Sequence, residues 1–251
     1  ASSRAGWFEG GSNHNNVIAI VDGELLVIEA GYNQTKTPRD YSIKEASNNG
    51  WEPSYGKLNQ YSGFETELVM PSTYGTYGTG TFTTIGERAF TYTQNEVKSI
   101  VLPDTIETIE KEAFFSCEEL EYLYIPASVK EIGKNVFRDT KKLKSIDLSK
   151  FETGNVVDMS NMFYSCSSLN SLNLVNFNTN KVEKMSFMFG ACESLEYLNI
   201  ENFDTSKAKD LSYMFRHCSS LTSLSLNFNT KNVEDMSYMF QFCKNLSFLN
   251  K

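Results

Sequence analysis

The sequence predicts an α/β solenoid with a parallel sheet on one face, short helical turns on the other and a small N-terminal β-hairpin cap. Three observations predict it. First, MSNMFYSCSSLNSLNL from Met159 recurs as MSFMFGACESLEYLNI from Met185, LSYMFRHCSSLTSLSL from Leu211 and MSYMFQFCKNLSFLN from Met236, at spacings of 26, 26 and 25 residues. Second, a shorter set precedes these, with TTIGERAF from Thr83, ETIEKEAFFSC from Glu107 and KEIGKNVFRDT from Lys130, at spacings of 24 and 23. Self-similarity at such periods marks stacked repeats. Third, every unit switches between two apolar periods, and each period belongs to a different local structure.

Taken in chain order, residues 1–54 do not fit the repeat. Val17 to Ile28 reads as two strands joined at Asp22-Gly23, a strong hairpin signal. Gly31 to Tyr55 is rich in Asn, Ser, Thr, Gly and Pro and reads as loop. An open solenoid end would leave its first apolar column in water, so this segment is assigned the capping role. The array is placed at 55–251. Thr66 to Thr73 (TELVMPST) has the strand-and-proline pattern of Ser99 to Thr105 (SIVLPDT), which puts a rung there too and gives about eight in all. At Lys251 the sequence stops in mid-repeat, so the natural protein is expected to continue.

Within a unit, the L-x-x-L-x-L core (Leu120/Leu123/Ile125, Leu143/Ile146/Leu148, Leu169/Leu172/Leu174, Leu195/Leu198/Ile200, Leu221/Leu224/Leu226) ends in alternation, the period of a half-buried strand. Upstream, Val156, Met159, Met162, Phe163 and Cys166 are three or four apart, as on one face of a short helix. Such a unit is too small to bury its apolar stripe alone, so neighbouring rungs must cover it.

These residues resemble the BspA-like leucine-rich-repeat surface proteins of bacteria and some parasitic protists, over about residues 55–251. The early rungs look like the shorter type, with Pro71, Pro103 and Pro126 after the strand and Ile-Gly-x-x-x-Phe at Ile85/Gly86/Phe90 and Ile132/Gly133/Phe137; Glu110 stands where the glycine would be. The later rungs look like the longer type, Asn-Phe-x-Thr then Met-Ser-x-Met-Phe, with Leu211 and Lys150-Phe151 as departures. The resemblance implies a secreted or cell-surface protein that adheres to host or bacterial proteins.

Composition narrows the function further. The chain has 251 residues and a formal net charge of −8, without a basic stripe, which argues against binding nucleic-acid phosphates. Its longest apolar runs, Val17 to Val21 and Leu25 to Ile28, are too short to span a bilayer. No signal-peptide pattern begins at Ala1, so a signal has been removed or was never there. No nucleotide-binding glycine pattern, H-E-x-x-H or G-x-S-x-G motif is present, and the chain is read as a non-enzyme without cofactor or metal. His217 beside Cys218 would be a Cys/His pair, yet Ser116, Ser165, Ala191 and Phe242 fill the same slot, which marks it as a surface position. Cys117, Cys166, Cys192, Cys218 and Cys243 share another slot and are read as a packed column of free thiols. The Met and Phe columns are read as core, and Thr153, Thr179, Thr205 and Thr230 as turn-holding hydroxyls.

Alternation along the strand sends two columns outward. Ser99, Tyr122, Ser145, Ser171, Tyr197 and Ser223 form one, and Val101, Tyr124, Asp147, Asn173, Asn199 and Ser225 the other. The expected binding face comprises Tyr122, Tyr124, Asp147, Asn173, Tyr197 and Asn199, because exposed tyrosines are common interface anchors. A protein ligand is the first expectation; a spacer or scaffold presenting a fused domain and a carbohydrate-binding surface protein are the alternatives. Oligomeric state is left open.

Overall fold

The computed structural model describes residues 50–75, 78–91, 96–148, 151 and 153–250, together with the backbone of two strands, β1 (Asn16–Val21) and β2 (Glu24–Glu29). These two pair antiparallel from Asn16↔Glu29 to Val21↔Glu24, as a hairpin with a two-residue connection requires. The Asp22-Gly23 turn itself, most of the expected loop from Gly31, His14 and Lys150 lie outside the described residues. Next come β3 (Trp51–Ser54), β4 (Lys57–Tyr61), β5 (Glu67–Val69), β6 (Thr73–Tyr74), β7 (Gly80–Thr81), β8 (Thr84–Ile85) and β9 (Ser99–Val101). They are followed by β10 (Thr108–Ile109), β11 (Tyr122–Tyr124), β12 (Glu131–Ile132), β13 (Ser171–Asn173), β14 (Tyr197–Asn199), β15 (Ser223–Ser225) and β16 (Phe248–Asn250).

The L-x-x-L-x-L segments form the expected parallel strands. β5, β9 and β11 are in register (Leu68↔Ile100↔Leu123), Tyr122 bridges to Ser145, and later rungs pair as β13 with β14 and β15 with β16. A second ladder was not anticipated from the sequence. β4, β8, β10 and β12 line up in parallel through Leu58↔Ile85↔Ile109↔Ile132, and the bridges Asp158↔Lys184↔Asp210↔Asp235 occupy an equivalent place in later rungs.

The helical turns are a misreading: no α-helix occurs among the described residues, and the array is a parallel β-solenoid. The backbone shows why. Met159, Asn161, Phe163 and Ser165 donate their N–H groups to Lys184, Ser186, Met188 and Gly190 of the next rung, at 2.8–2.9 Å. Between them, Met162, Tyr164 and Cys166 donate to carbonyls three residues back. Asn161 (φ 55°) and Ser165 (φ 61°) are left-handed, which resets the chain every four residues. Consecutive tight turns of this kind keep the three-and-four apolar spacing of a helix without its i→i−4 bonds.

Inside the coil, Phe90, Phe114, Phe137, Phe163, Phe189, Phe215 and Phe240 stack with centroids 5.2–6.1 Å apart. The first ring is closed off by Trp51, edge-on at 6.3 Å, and Tyr61 at 6.2 Å, both buried. β3 folds back antiparallel on β4 to hold Trp51 there. Among the described residues, then, it is the β3–β4 hairpin that covers the end of the ring column.

Candidate binding surface

The outward positions of the strand face are built by alternation around a buried leucine. Leu172 and Leu198 are buried while Ser171, Asn173 and Tyr197 are exposed, and β13–β14 pairing sets Ser171 beside Tyr197 and Asn173 beside Asn199. Tyr197 is 59% exposed and Tyr124 38%, so both present ring surface to solvent. Asp147 is exposed, and Tyr122 and Asn199 are half-buried. At the N-terminal end the expectation fails: Val101 is buried and Ser99 half-buried, so the solvent columns start at β11. Alternation fixes which face a residue points to, but what covers that face is set by the rest of the chain.

The six expected residues are not equivalent. The Lys144 ammonium lies 5.5 Å from the Tyr122 ring centroid, a cation–π contact that holds the ring. Lys144 also bonds Glu121, and with Lys141–Glu118 and Lys142–Glu119 this makes three parallel ion pairs between two rungs. The Asn173 carboxamide oxygen accepts from Val175 N–H (3.2 Å) and that of Asn199 from Glu201 N–H (3.4 Å). Both asparagines therefore end their strands with an Asx-type turn, which leaves the amide NH2 and one oxygen lone pair for a ligand. Strand bridges stop between Ser145 and Ser171, which puts Tyr122, Tyr124 and Asp147 in one stretch of ladder and Asn173, Tyr197 and Asn199 in another.

The repeated polar slots resolve as structure. All five cysteines are free thiols, and Cys166, Cys192, Cys218 and Cys243 each donate S–H to the phenylalanine carbonyl of the preceding rung at 2.9–3.1 Å. Burial pushes Cys117 and Cys166 up to about 12 and Cys218 well up, so these thiols stay protonated. Thr140 takes the slot with a hydroxyl, 2.8 Å from the Phe137 carbonyl. Cys218 is buried while the half-buried His217 stacks on Phe242 at 4.4 Å, so the two do not form a nucleophile–base pair. Thr153, Thr179 and Thr205 are buried and bond the backbone of the next rung rather than their own bend. Among the described residues no three His, Cys, Asp or Glu side chains are grouped as metal ligands.

One surface went unnoticed in the sequence. On the turn side, Phe187, Tyr213 and Tyr238 occupy the left-handed third position of the Met-Ser-x-Met-Phe motif and stack outside the coil at 4.4 and 5.0 Å. Arg138 lies across Phe115 and Tyr164, and Arg216 across Tyr213 and Phe242. The aligned repeats carry the signal, since the variable x is aromatic in three successive units.

Solved structures share this architecture. A leucine-rich cell surface protein from Faecalibacterium prausnitzii matches with a TM-score of 0.52 at 20% identity, over 77% of this chain and 49% of its own. A leucine-rich repeat protein from Bacteroides ovatus matches with a TM-score of 0.53 at 23% identity, over 78% and 48%. The fold is that of a leucine-rich-repeat solenoid. A leucine-rich repeat protein from Eubacterium ventriosum adds a TM-score of 0.52 at 19% identity, over 75% and 46%. The leucine-rich-repeat chain thus spans about half the length of each of these structures. Residues 133–249 match a family described as "Mycoplasma protein of unknown function, DUF285". No curated protein matches.

Proposed function

We propose that this leucine-rich-repeat array is a non-enzymatic protein-binding module of a secreted or cell-surface adhesin-type protein, engaging a host or bacterial surface protein through its strand face. The observation that carries the reading is the chemistry of the outward positions from β11 to β15. Tyr122, Ser145, Ser171, Tyr197 and Ser223 form one column and Tyr124, Asp147, Asn173, Asn199 and Ser225 the other, with neither Lys nor Glu in either. Strand propensity accounts for the tyrosines and for the absence of Lys and Glu, but not for Asp147, Asn173 and Asn199, since Asn and Asp are depleted from strands. Rigid Tyr anchors among adaptable Ser and Asn are the composition that protein-recognition surfaces favour. The Faecalibacterium structure is titled a cell surface protein, which supports the location.

The test replaces Tyr122, Tyr124 and Tyr197 together with Ser and compares binding of biotinylated host-cell and bacterial surface proteins with that of a variant altered at Lys184, Lys209 and Glu234. Removing aromatic anchors at an interface centre costs about 2 kcal/mol or more each, so capture should be lost in the tyrosine variant alone. Normal capture by the tyrosine variant would refute the strand face as the site, and a glycan array run alongside separates a carbohydrate ligand from a protein one.

A further inference from the structure

The turn-side ridge offers a second, chemically different surface. Each of the three arginines among the described residues, Arg88, Arg138 and Arg216, lies over an aromatic ring of this ridge, with its Cζ 5.2–5.9 Å from the ring centroid. Arginine rather than lysine suits such a position, because its planar guanidinium stacks on a ring and still presents a fork of donors at its edge. Two of the three are neutralised by the chain itself. Arg88 Nε donates to the Glu112 carboxylate, and Arg138 Nε to that of Asp139 at 3.2 Å.

Arg216 breaks the pattern. It is framed in the same way, 5.7 Å from the Tyr213 ring and 5.8 Å from that of Phe242, but its Nε donates to the neutral Gln241 amide oxygen at 2.7 Å. The slot that holds Asp139 beside Arg138 holds His217 beside Arg216, and His217 is turned onto Phe242. Among the described residues no carboxylate pairs with Arg216. A guanidinium held between two rings by a neutral partner keeps its full charge and loses little freedom on binding, the condition for a strong bidentate contact with a carboxylate.

We infer that Arg216, framed by Tyr213, Phe242 and Gln241, is a docking anchor for a carboxylate side chain on an acidic segment of a protein partner. The guanidinium fork complements an anion, and a carboxylate side chain is the anion that an unmodified protein surface supplies. The site is independent of the strand face, which lies on the other ladder of each rung.

The probe is a fluorescein-labelled peptide of six Gly-Glu repeats, with its Gly-Gln counterpart as control, titrated with the intact chain at low ionic strength and read by fluorescence polarisation. The chain should bind the acidic peptide alone, against its own net negative charge, and binding should weaken with salt. R216Q should abolish binding, and R216K should weaken it about tenfold, since lysine keeps the charge without the fork. R138Q should leave it unchanged, because Arg138 is already neutralised. H217D installs beside Arg216 the carboxylate that Arg138 has, and should abolish binding with the arginine intact, so the test survives if R216Q fails to fold. Equal binding of the Gly-Gln peptide, undiminished binding by H217D, or an equal loss in R138Q overturns the proposal. Self-association that R216Q removes, with no peptide binding, also overturns it, making a second copy the occupant.

Discussion

The short rungs up to Leu148 and the long rungs from Met159 share one ring column but are tied together differently. In the short rungs the ties are ionic and lie outside: Lys57–Glu110, Lys111–Glu87, Arg88–Glu112, Lys130–Glu107 and the three pairs from Glu118, Glu119 and Glu121 to Lys141, Lys142 and Lys144. Glu110, the residue standing in the glycine slot, takes part by accepting from Lys57 and from the Glu87 amide. Burial raises its pKa, but those bonds outweigh it and hold the carboxyl below its ordinary value. In the long rungs most ties are neutral and lie inside, as Thr153, Thr179 and Thr205 bond the next backbone and a column of thiols donates to phenylalanine carbonyls, with Lys209–Glu183 as an ion pair on the surface. Exposed ion pairs select register at little gain in stability, whereas a buried hydroxyl that loses its partner is costly. The same coil is thus tied mainly at its surface in one half and mainly in its interior in the other.

Three experiments would break or sharpen that contrast. The largest effect is expected where the halves agree: Phe114→Ala and Phe189→Ala each remove a fully buried ring from the shared column and should each cost about 3–5 kcal/mol in denaturant unfolding. A much smaller loss at either site would mean that the column is not continuous. Next comes Thr179→Val, which keeps volume but leaves the Asp204 carbonyl without its hydroxyl donor. It should cost about 1–3 kcal/mol, with Thr179→Ser recovering part of the loss. The smallest effect belongs to the triple change of Lys141, Lys142 and Lys144 to Gln. It should lower the melting temperature at low salt less than Thr179→Val does, and not at all near 1 M salt, where the Debye length is about 3 Å. A salt-independent loss would assign these lysines a packing role.

The sequence alone determined the repeat, the L-x-x-L-x-L strands and the buried columns, because an apolar residue recurring in every unit has nowhere to go but the shared interior. Phe163, Phe189 and Phe215, with Cys166, Cys192 and Cys218, are fully buried as their recurrence required. It also determined the outward direction of Tyr124 and Tyr197, since alternation is local geometry. Tertiary structure decided the rest. Whether the three-and-four spacing becomes a helix depends on where alternate N–H groups find acceptors, and here a neighbouring rung supplies them before residue i−4 can. Alternation does not fix whether an outward strand residue meets solvent, since Val101 is buried and Tyr197 is exposed. Stacking also chose the partners of two arginines, bringing the Glu112 carboxylate to Arg88 and the Gln241 amide to Arg216, while Arg138 is paired by its chain neighbour Asp139.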